Sequence, residues 1–259
     1  MPVAQGYQKK SEFQAETLKA FLAPGSVAVF GASRKAGKVG HEIVRNLLRY
    51  EYLGKIFPIN PEATKILGLK CYPSVKDVEE NVDLGVVAVP AKIVATVAEE
   101  AGEKGLKGLI VISAGFKETG AEGLEREKEL LRICRRHQMR LLGPNCLGLI
   151  NTFTPLNASF ASQMPPKGNI AFMSQSGALC SAVLDWAASE HVGLSNLISL
   201  GNMADMDETS FMQLLVKDPN TKVILVYIEG VKDGQKFMKV APMVSRKKPV
   251  VILKSGTSD

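Results

Sequence analysis

Short apolar runs alternate with longer segments of helical period along the chain. "SVAVFG" (26–31) is apolar almost throughout, which predicts a buried strand, and "GHEIVRNLLRY" after it carries apolar residues at helical spacing. "KIFPIN" predicts a second strand, "LGVVAVP" (84–90) a third and "KGLIVIS" (107–113) a fourth. Helices are expected over "AKIVATVAEEAGEKG" and around 120–137, and "MRLLGPN" closes this half. Continuous apolar runs belong to strands covered on both faces, so the pattern predicts an α/β fold with a parallel sheet between helical layers. Residues 143–168 are rich in Pro, Asn and Ser and show neither period, which predicts a linker. A second alternation follows: "NIAFMS", a helix, "LSNLISLG", a helix from Glu208, "KVILVYIEG", a helix near 233–245 and "KPVVILKSG". The expected division is a polar lead-in helix (1–21), a first α/β domain (22–143), a linker (144–168) and a second α/β domain (169–259). Ligand sites in such sheets lie at the carboxyl ends of strands. The chain stops just past its last expected strand, so the reading expects a fragment that lacks a functional loop.

Composition narrows the class. At 259 residues two domains can each bury a core, and 46% apolar with 22% charged residues is ordinary for a globular protein. No run approaches the length of about 18 apolar residues that a membrane span needs, and the N-terminus lacks an apolar signal core. The four cysteines (Cys71, Cys134, Cys146, Cys180) show no CxxC spacing, which argues against a metal or disulfide framework and fits a reducing cytoplasm. The net charge of +6 is dispersed, except that Arg34, Lys35 and Lys38 cluster on a glycine-rich turn. That favours a phosphorylated small ligand over nucleic acid.

Two turns carry candidate chemistry. "VFGASRKAGKVG" places Gly31, Gly37 and Gly40 after the first strand, but the spacing is not G-x-G-x-x-G. The second strand ends at Asn60 and Pro61, where an NAD site needs a carboxylate for the ribose. With three basic residues nearby, NADP or coenzyme A fits better than NAD; a Rossmann-like fold with surface lysines and no ligand is the alternative. The second turn, "SQSG", joins the run "NIAFMS" to a helical pattern with Leu179, Val183, Leu184 and Trp186. The unpaired N–H groups at such a helix start favour an anion at Ser174, Gln175, Ser176, Gly177 and Ala178. A hydrolase nucleophile would need G-x-S-x-G, and the leading glycine is missing. His191 lies about fifteen residues on, roughly 22 Å along a helix, too far to act as its base. An ordinary N-capped helix is the other alternative to the anion site.

Nine motifs in order, "VAVFGASRKAGKVG", "PINP", "CYPSV", "DLGVVAVPA", "LIVISAGF", "LLGPNCLGLIN", "IAFMSQSGAL", "SLGNMADMDE" and "YIEGVKDGQKF", make the chain resemble the α-subunit side of NDP-forming acyl-CoA synthetases. This is the superfamily of succinyl-CoA synthetase, and the match is closest to ADP-forming acetate–CoA ligases. The resemblance implies a Rossmann-like CoA-binding domain followed by a flavodoxin-like ligase domain. It implies that Gly31, Ser33 and Lys38 form the CoA phosphate loop and that Asn60, Pro61 and Lys65 belong to the second-strand region of the site. Val89, Pro90, Ser113, Ala114 and Gly115 would line the CoA chain, with Asn145 near its thiol end. "SQSG" would hold a phosphoryl group that a histidine carries from an acyl phosphate to ADP. Glu229 would pair with that histidine, a sensible use of a carboxylate beside an imidazole; its other reading is a strand-end acid capping the turn "EGVKDG".

The sequence departs from the family in one large respect. The family histidine lies in an "HTG"-like loop, and His41, His137 and His191 all lie outside such a motif. ADP or ATP with Mg would enter only through a nucleotide-grasp (ATP-grasp) subunit or domain, in an oligomer without nucleic acid or membrane. The chain is therefore expected to bind CoA without completing the reaction alone. Ser181 replaces a tyrosine of succinyl-type enzymes, favouring the acetate branch. Cys146 is expected to be a buried motif cysteine, and Asp205, Asp207 and Glu208 to start a helix rather than hold a metal. A CoA-sensing regulatory domain and an NADP oxidoreductase are the competing functions; no acid–base pair supports the latter.

Overall fold

The computed structural model describes residues 16–17 and 19–256. The lead-in helix expected over 1–21 therefore lies largely outside the described residues. Two sheets form the body. The first is wholly parallel, with strands β1 (Ser26–Phe30), β2 (Lys55–Ile59), β5 (Leu84–Val87), β6 (Gly108–Val111) and β7 (Arg140–Leu142) in the order β2-β1-β5-β6-β7. Helices Val39–Arg49, Ala91–Lys104 and Ala121–Arg136 connect them. β1, β5 and β6 are buried at every position, which is why their sequences are continuous apolar runs. A two-stranded hairpin, β3 (Lys65–Ile66) with β4 (Leu69–Lys70), follows β2.

The second sheet has the order β13-β12-β10-β11-β8-β9. β10 (Lys167–Ser174), β11 (Leu194–Ser199), β12 (Val223–Ile228) and β13 (Val250–Lys254) are parallel, and β8 (Gly148–Asn151) and β9 (Leu156–Ser159) add antiparallel at one side. The segment expected as a linker over 143–168 thus contains two strands. Their interiors are polar as well as apolar. Asn151 donates to Leu22 O at 2.8 Å, and Ser159 donates to the Asn157 side chain at 2.6 Å. Satisfied buried polar groups are stable, but they hide a strand from a hydrophobic pattern.

The sheets are bound into one body. Asn46, on the helix after β1, donates to Ser159 O and Ala161 O at 2.9 and 2.8 Å. Arg140 grips Asp205 through two bonds of 2.7 and 3.2 Å, and Asn202 donates to Glu118 and Glu127 at 2.6 and 2.9 Å. No described helix is long and apolar enough to cross a membrane.

Asp207 caps the helix Glu208–Leu215, as its sequence position suggests, accepting from Ser210 N at 2.8 Å and from Lys236 Nζ at 2.7 Å. Burial alone would raise this carboxyl, but bonds from Lys236, Ser210 and Thr209 outweigh it and hold it at about 2. An unfolded Asp titrates near about 3.9, so the folded form binds its proton more weakly. The stabilisation is present above about pH 4 and is lost as pH falls towards 2. Asp207→Asn is expected to flatten stability against pH across that window and to lower stability at neutral pH by about 2 kcal/mol. Denaturant melts at stepped pH measure both.

Candidate functional site

Two topological switch points face one another. In the first sheet the chain moves from β1 to β2 on one side and then to β5 on the other. A crevice opens at the carboxyl ends of such strands. Gly31 leaves β1 with φ +80°, a left-handed backbone that suits glycine. Gly40 opens the next helix so close to Gly31 that an added Cβ would lie 2.0 Å from its carbonyl oxygen. The loop between them is fixed by its own bonds. Lys35 N donates to Ser33 Oγ at 3.1 Å, the His41 ring meets Ser33 O at 2.9 Å, and Gly37 N donates to Glu42 at 3.0 Å. Asn60 donates to Ala32 O at 2.7 Å and accepts from Glu62 N at 2.8 Å, so its amide latches the loop to β2. Arg34, Lys35 and Lys38 are exposed on this loop.

A cleft of about 360 Å³ follows from this geometry, lined by Gly31, Ser33, Lys38, Asn60, Val89 and Pro90 among others. It shares Val39, Ala88 and Val89 with a larger cavity of about 640 Å³. That cavity runs past Ser113, Ala114 and Asn145 to Gln175, Gly177 and Ala178 of the second sheet. Its lining has no charged side chain. The two spaces therefore adjoin at Val39, Ala88 and Val89, one basic at the loop end and the other uncharged as far as the start of the helix Gly177–Ser189.

Several sequence candidates lie elsewhere. Pro61 and Lys65 are exposed and do not line either space. Gly115 donates to Glu118 at 2.6 Å, and a Cβ there would meet that of Ala91 at 2.9 Å, so it serves close packing. Ser174 is fully buried, and its hydroxyl donates to Ser176 O and accepts from Ser176 N, both at 3.0 Å. The Ser176 hydroxyl caps Leu179 N at 3.3 Å. Both serines therefore build the turn, and neither hydroxyl engages the first-turn amides of Gly177 and Ala178. His191 lies past the far end of this helix. Glu229 is exposed, one residue beyond β12.

Some lining residues receive no role from the sequence, although Val39 and Leu147 fall inside its motifs. Phe160 and Leu147 line the large cavity from the segment read as a linker, and Val39 reaches it from the first helix turn. Cys146 also lines it, but burial pushes its thiol up to about 12, so it is no ready nucleophile.

Comparison with known proteins matches this geometry. Residues 25–152 match the CoA binding domain, and residues 167–259 match the succinyl-CoA ligase like flavodoxin domain. An acetate–CoA ligase [ADP-forming] I of Archaeoglobus fulgidus is 52% identical over 91% of this chain and 34% of its own length. The acetate–CoA ligase [ADP-forming] II subunit alpha of Pyrococcus furiosus is 46% identical over 92% of this chain and 52% of its length. A solved structure, the dinucleotide forming acetyl-coenzyme A synthetase 1 of Ca. Korarchaeum cryptofilum in complex with phosphate and ADP, superposes with a TM-score of 0.90. It is 43% identical over 93% of this chain and 52% of that one. The chain thus spans about a third to a half of the relatives it matches. It belongs to the NDP-forming acyl-CoA synthetase superfamily, on the α-subunit side, with a Rossmann-like CoA-binding domain and a flavodoxin-like ligase domain.

Proposed function

We propose that this chain is the CoA-binding and phosphoryl-handling part of an ADP-forming acyl-CoA synthetase, which converts acyl-CoA, phosphate and ADP to acid, ATP and CoA. The observation that carries the reading is the pair of adjoining spaces that runs from the basic loop at Lys38 to the helix start at Gly177. Its form suits a ligand with an anionic head and a long uncharged arm. Gly31, Ser33 and Lys38 would hold the head, with Arg34 and Lys35 adding charge. Val89, Pro90, Ser113 and Ala114 would line the arm, and Asn145 its far end. Bound CoA would supply the thiol that carries the acyl group.

The amides of Gly177 and Ala178 would hold the phosphoryl group at the positive end of the helix. Glu229 would orient and charge-balance a phosphorylated histidine supplied from beyond the described residues. A nucleotide-grasp subunit or domain would bring ADP with Mg. We place the change from CoA-binding to ligase domain in the segment 144–168, and the compartment as the cytoplasm, where four unpaired buried cysteines are at home.

Phosphate titration tests the helix start. An anion there gains only about 0.3–1 kcal/mol from the helix, so the chain alone should need millimolar phosphate, and added salt should weaken binding. The expected result is a saturable shift of the Gly177 and Ala178 amide resonances. Shifts confined to other residues, with these two unmoved, contradict the assignment.

A further inference from the structure

We propose that Gln175 is the residue that positions Glu229 against the start of the helix Gly177–Ser189. The inference rests on the phosphoryl-handling reading above and deepens it. The second sheet has its own switch point. The chain leaves β10, forms β11 on one side, and returns to form β12 on the other. The turns after β10 and β12 therefore flank the crevice where ligands of such sheets bind. Gln175 is the first residue after β10, and Glu229 the first after β12.

Gln175 continues the ladder by one bond, from its N to Tyr227 O at 3.2 Å. Its side chain then crosses to the neighbouring turn. Oε1 accepts from Glu229 N at 2.9 Å and from Gly230 N at 3.2 Å, and Nε2 donates to Gly230 O at 2.8 Å. The reverse amide orientation would set Nε2 against two N–H donors, so the bonds fix which end is which. The turn is open at Gly230, where an added Cβ would meet nothing within 4 Å, whereas Val231 packs on the core and Lys232 donates to Met203 O and Ala204 O. At Glu229 and Gly230 the holding bonds come from the Gln175 side chain.

The same residue lines the large cavity beside Gly177 and Ala178. One amide thus ties the backbone from which the Glu229 side chain projects to the helix start whose amides would face the phosphoryl group. Glutamine suits the task because it both donates and accepts while carrying no charge. A carboxylate here would oppose Gly230 O and place a negative charge where an anion must bind. A lysine could donate but not accept.

Gln175→Met keeps the length of the side chain and removes both hydrogen-bonding ends; Gln175→Ala serves as a second variant. In the full-length protein, label incorporation from acetyl-CoA and radioactive inorganic phosphate should fall about 100-fold, the scale of a small misplacement at a reacting centre. CoA affinity should fall far less than labelling, because Gln175 meets the cavity only at its far end. Introduced into Glu229→Gln, the same substitution should cost nothing further, because Gln175 acts through Glu229. An equal loss in both backgrounds, or wild-type labelling by Gln175→Met, overturns the proposal. Amide exchange keeps it separate from the reading beneath it. In this chain the Glu229 and Gly230 amides should exchange faster in either variant whether or not the wild type labels. Absence of label in the wild type counts against the phosphoryl-handling function, whereas unchanged exchange at these two amides counts against Gln175.

Discussion

Glu229→Gln is expected to lower phosphoprotein formation in the full-length protein by about 100-fold, the usual scale for losing the partner that orients a functional imidazole, with CoA affinity unchanged. Glu229 stands exposed at the end of β12, held by backbone bonds to Gln175. Its own carboxylate is not used to build the turn: the bonds at that turn run from the Glu229 and Gly230 amides. Substitution by Gln therefore leaves the fold intact and removes only a negative charge. That charge is what a histidine needs while it holds its proton or a phosphoryl group. The spaces proposed for CoA are lined by other residues, so calorimetry with CoA serves as the control. Normal labelling in Glu229→Gln would return the residue to its other reading, an acid at a strand end.

The second large effect belongs to the loop at the other end of the groove. Gly40→Ala places a Cβ 2.0 Å from Gly31 O, 2.7 Å from Gly31 C and 3.0 Å from Ala32 Cα. All three are backbone atoms and cannot swing aside, so the loop or the helix Val39–Arg49 must move. Overpacking of this kind costs about 1–3 kcal/mol of stability. Because the displaced atoms shape the cleft, CoA affinity should fall about tenfold or more, a loss of about 1.4 kcal/mol. Gly37→Ala is the contrast. Its φ of +81° makes alanine strained, yet its Cβ would meet nothing within 4 Å. It should cost about 1–2 kcal/mol through backbone conformation alone. Thermal melts and CoA titrations of the two variants separate steric displacement from strain.

What the sequence made legible follows from what its patterns encode. Strands buried on both faces are apolar throughout, so β1, β5, β6 and the parallel core of the second sheet could be read directly. Their ends could not. The runs at 84–90 and 107–113 overshoot, since β5 stops at Val87 and β6 at Val111. The residues just beyond, Ala88 and Ile112, each keep one ladder bond, to Phe30 O and Val87 O, and together with Val89, Pro90 and Ser113 they line the cavities. β8 and β9 escaped notice because buried polar Asn151, Asn157 and Ser159 interrupt their apolar pattern, Asn151 donating to Leu22 O and Ser159 to Asn157 Oδ1, and Phe160 went unseen with them. Of the residues the resemblance names, Gly31, Ser33, Lys38, Asn60, Val89, Pro90, Ser113, Ala114 and Asn145 line the two spaces, and Pro61, Lys65 and Gly115 do not. Gln175 was legible only as part of an anion-binding turn. Its partners lie 54 and 55 residues away, a distance at which only the paired strands bring them together.

Isothermal titration of this chain with CoA, NAD and NADP tests the central claim most directly. The cleft offers Lys38 and its exposed basic neighbours, and the end of β2 offers Asn60, whose amide is already engaged with Ala32 O and Glu62 N. Glu62, the next carboxylate along the chain, does not line the cleft. The ribose-binding acid of an NAD site is thus missing, and the uncharged groove beyond suits an extended arm better than a nicotinamide ring. The account predicts saturable 1:1 binding of CoA, weakened by salt and by Lys38→Ala, with NAD and NADP binding more weakly. Equal or tighter binding of either dinucleotide would contradict it.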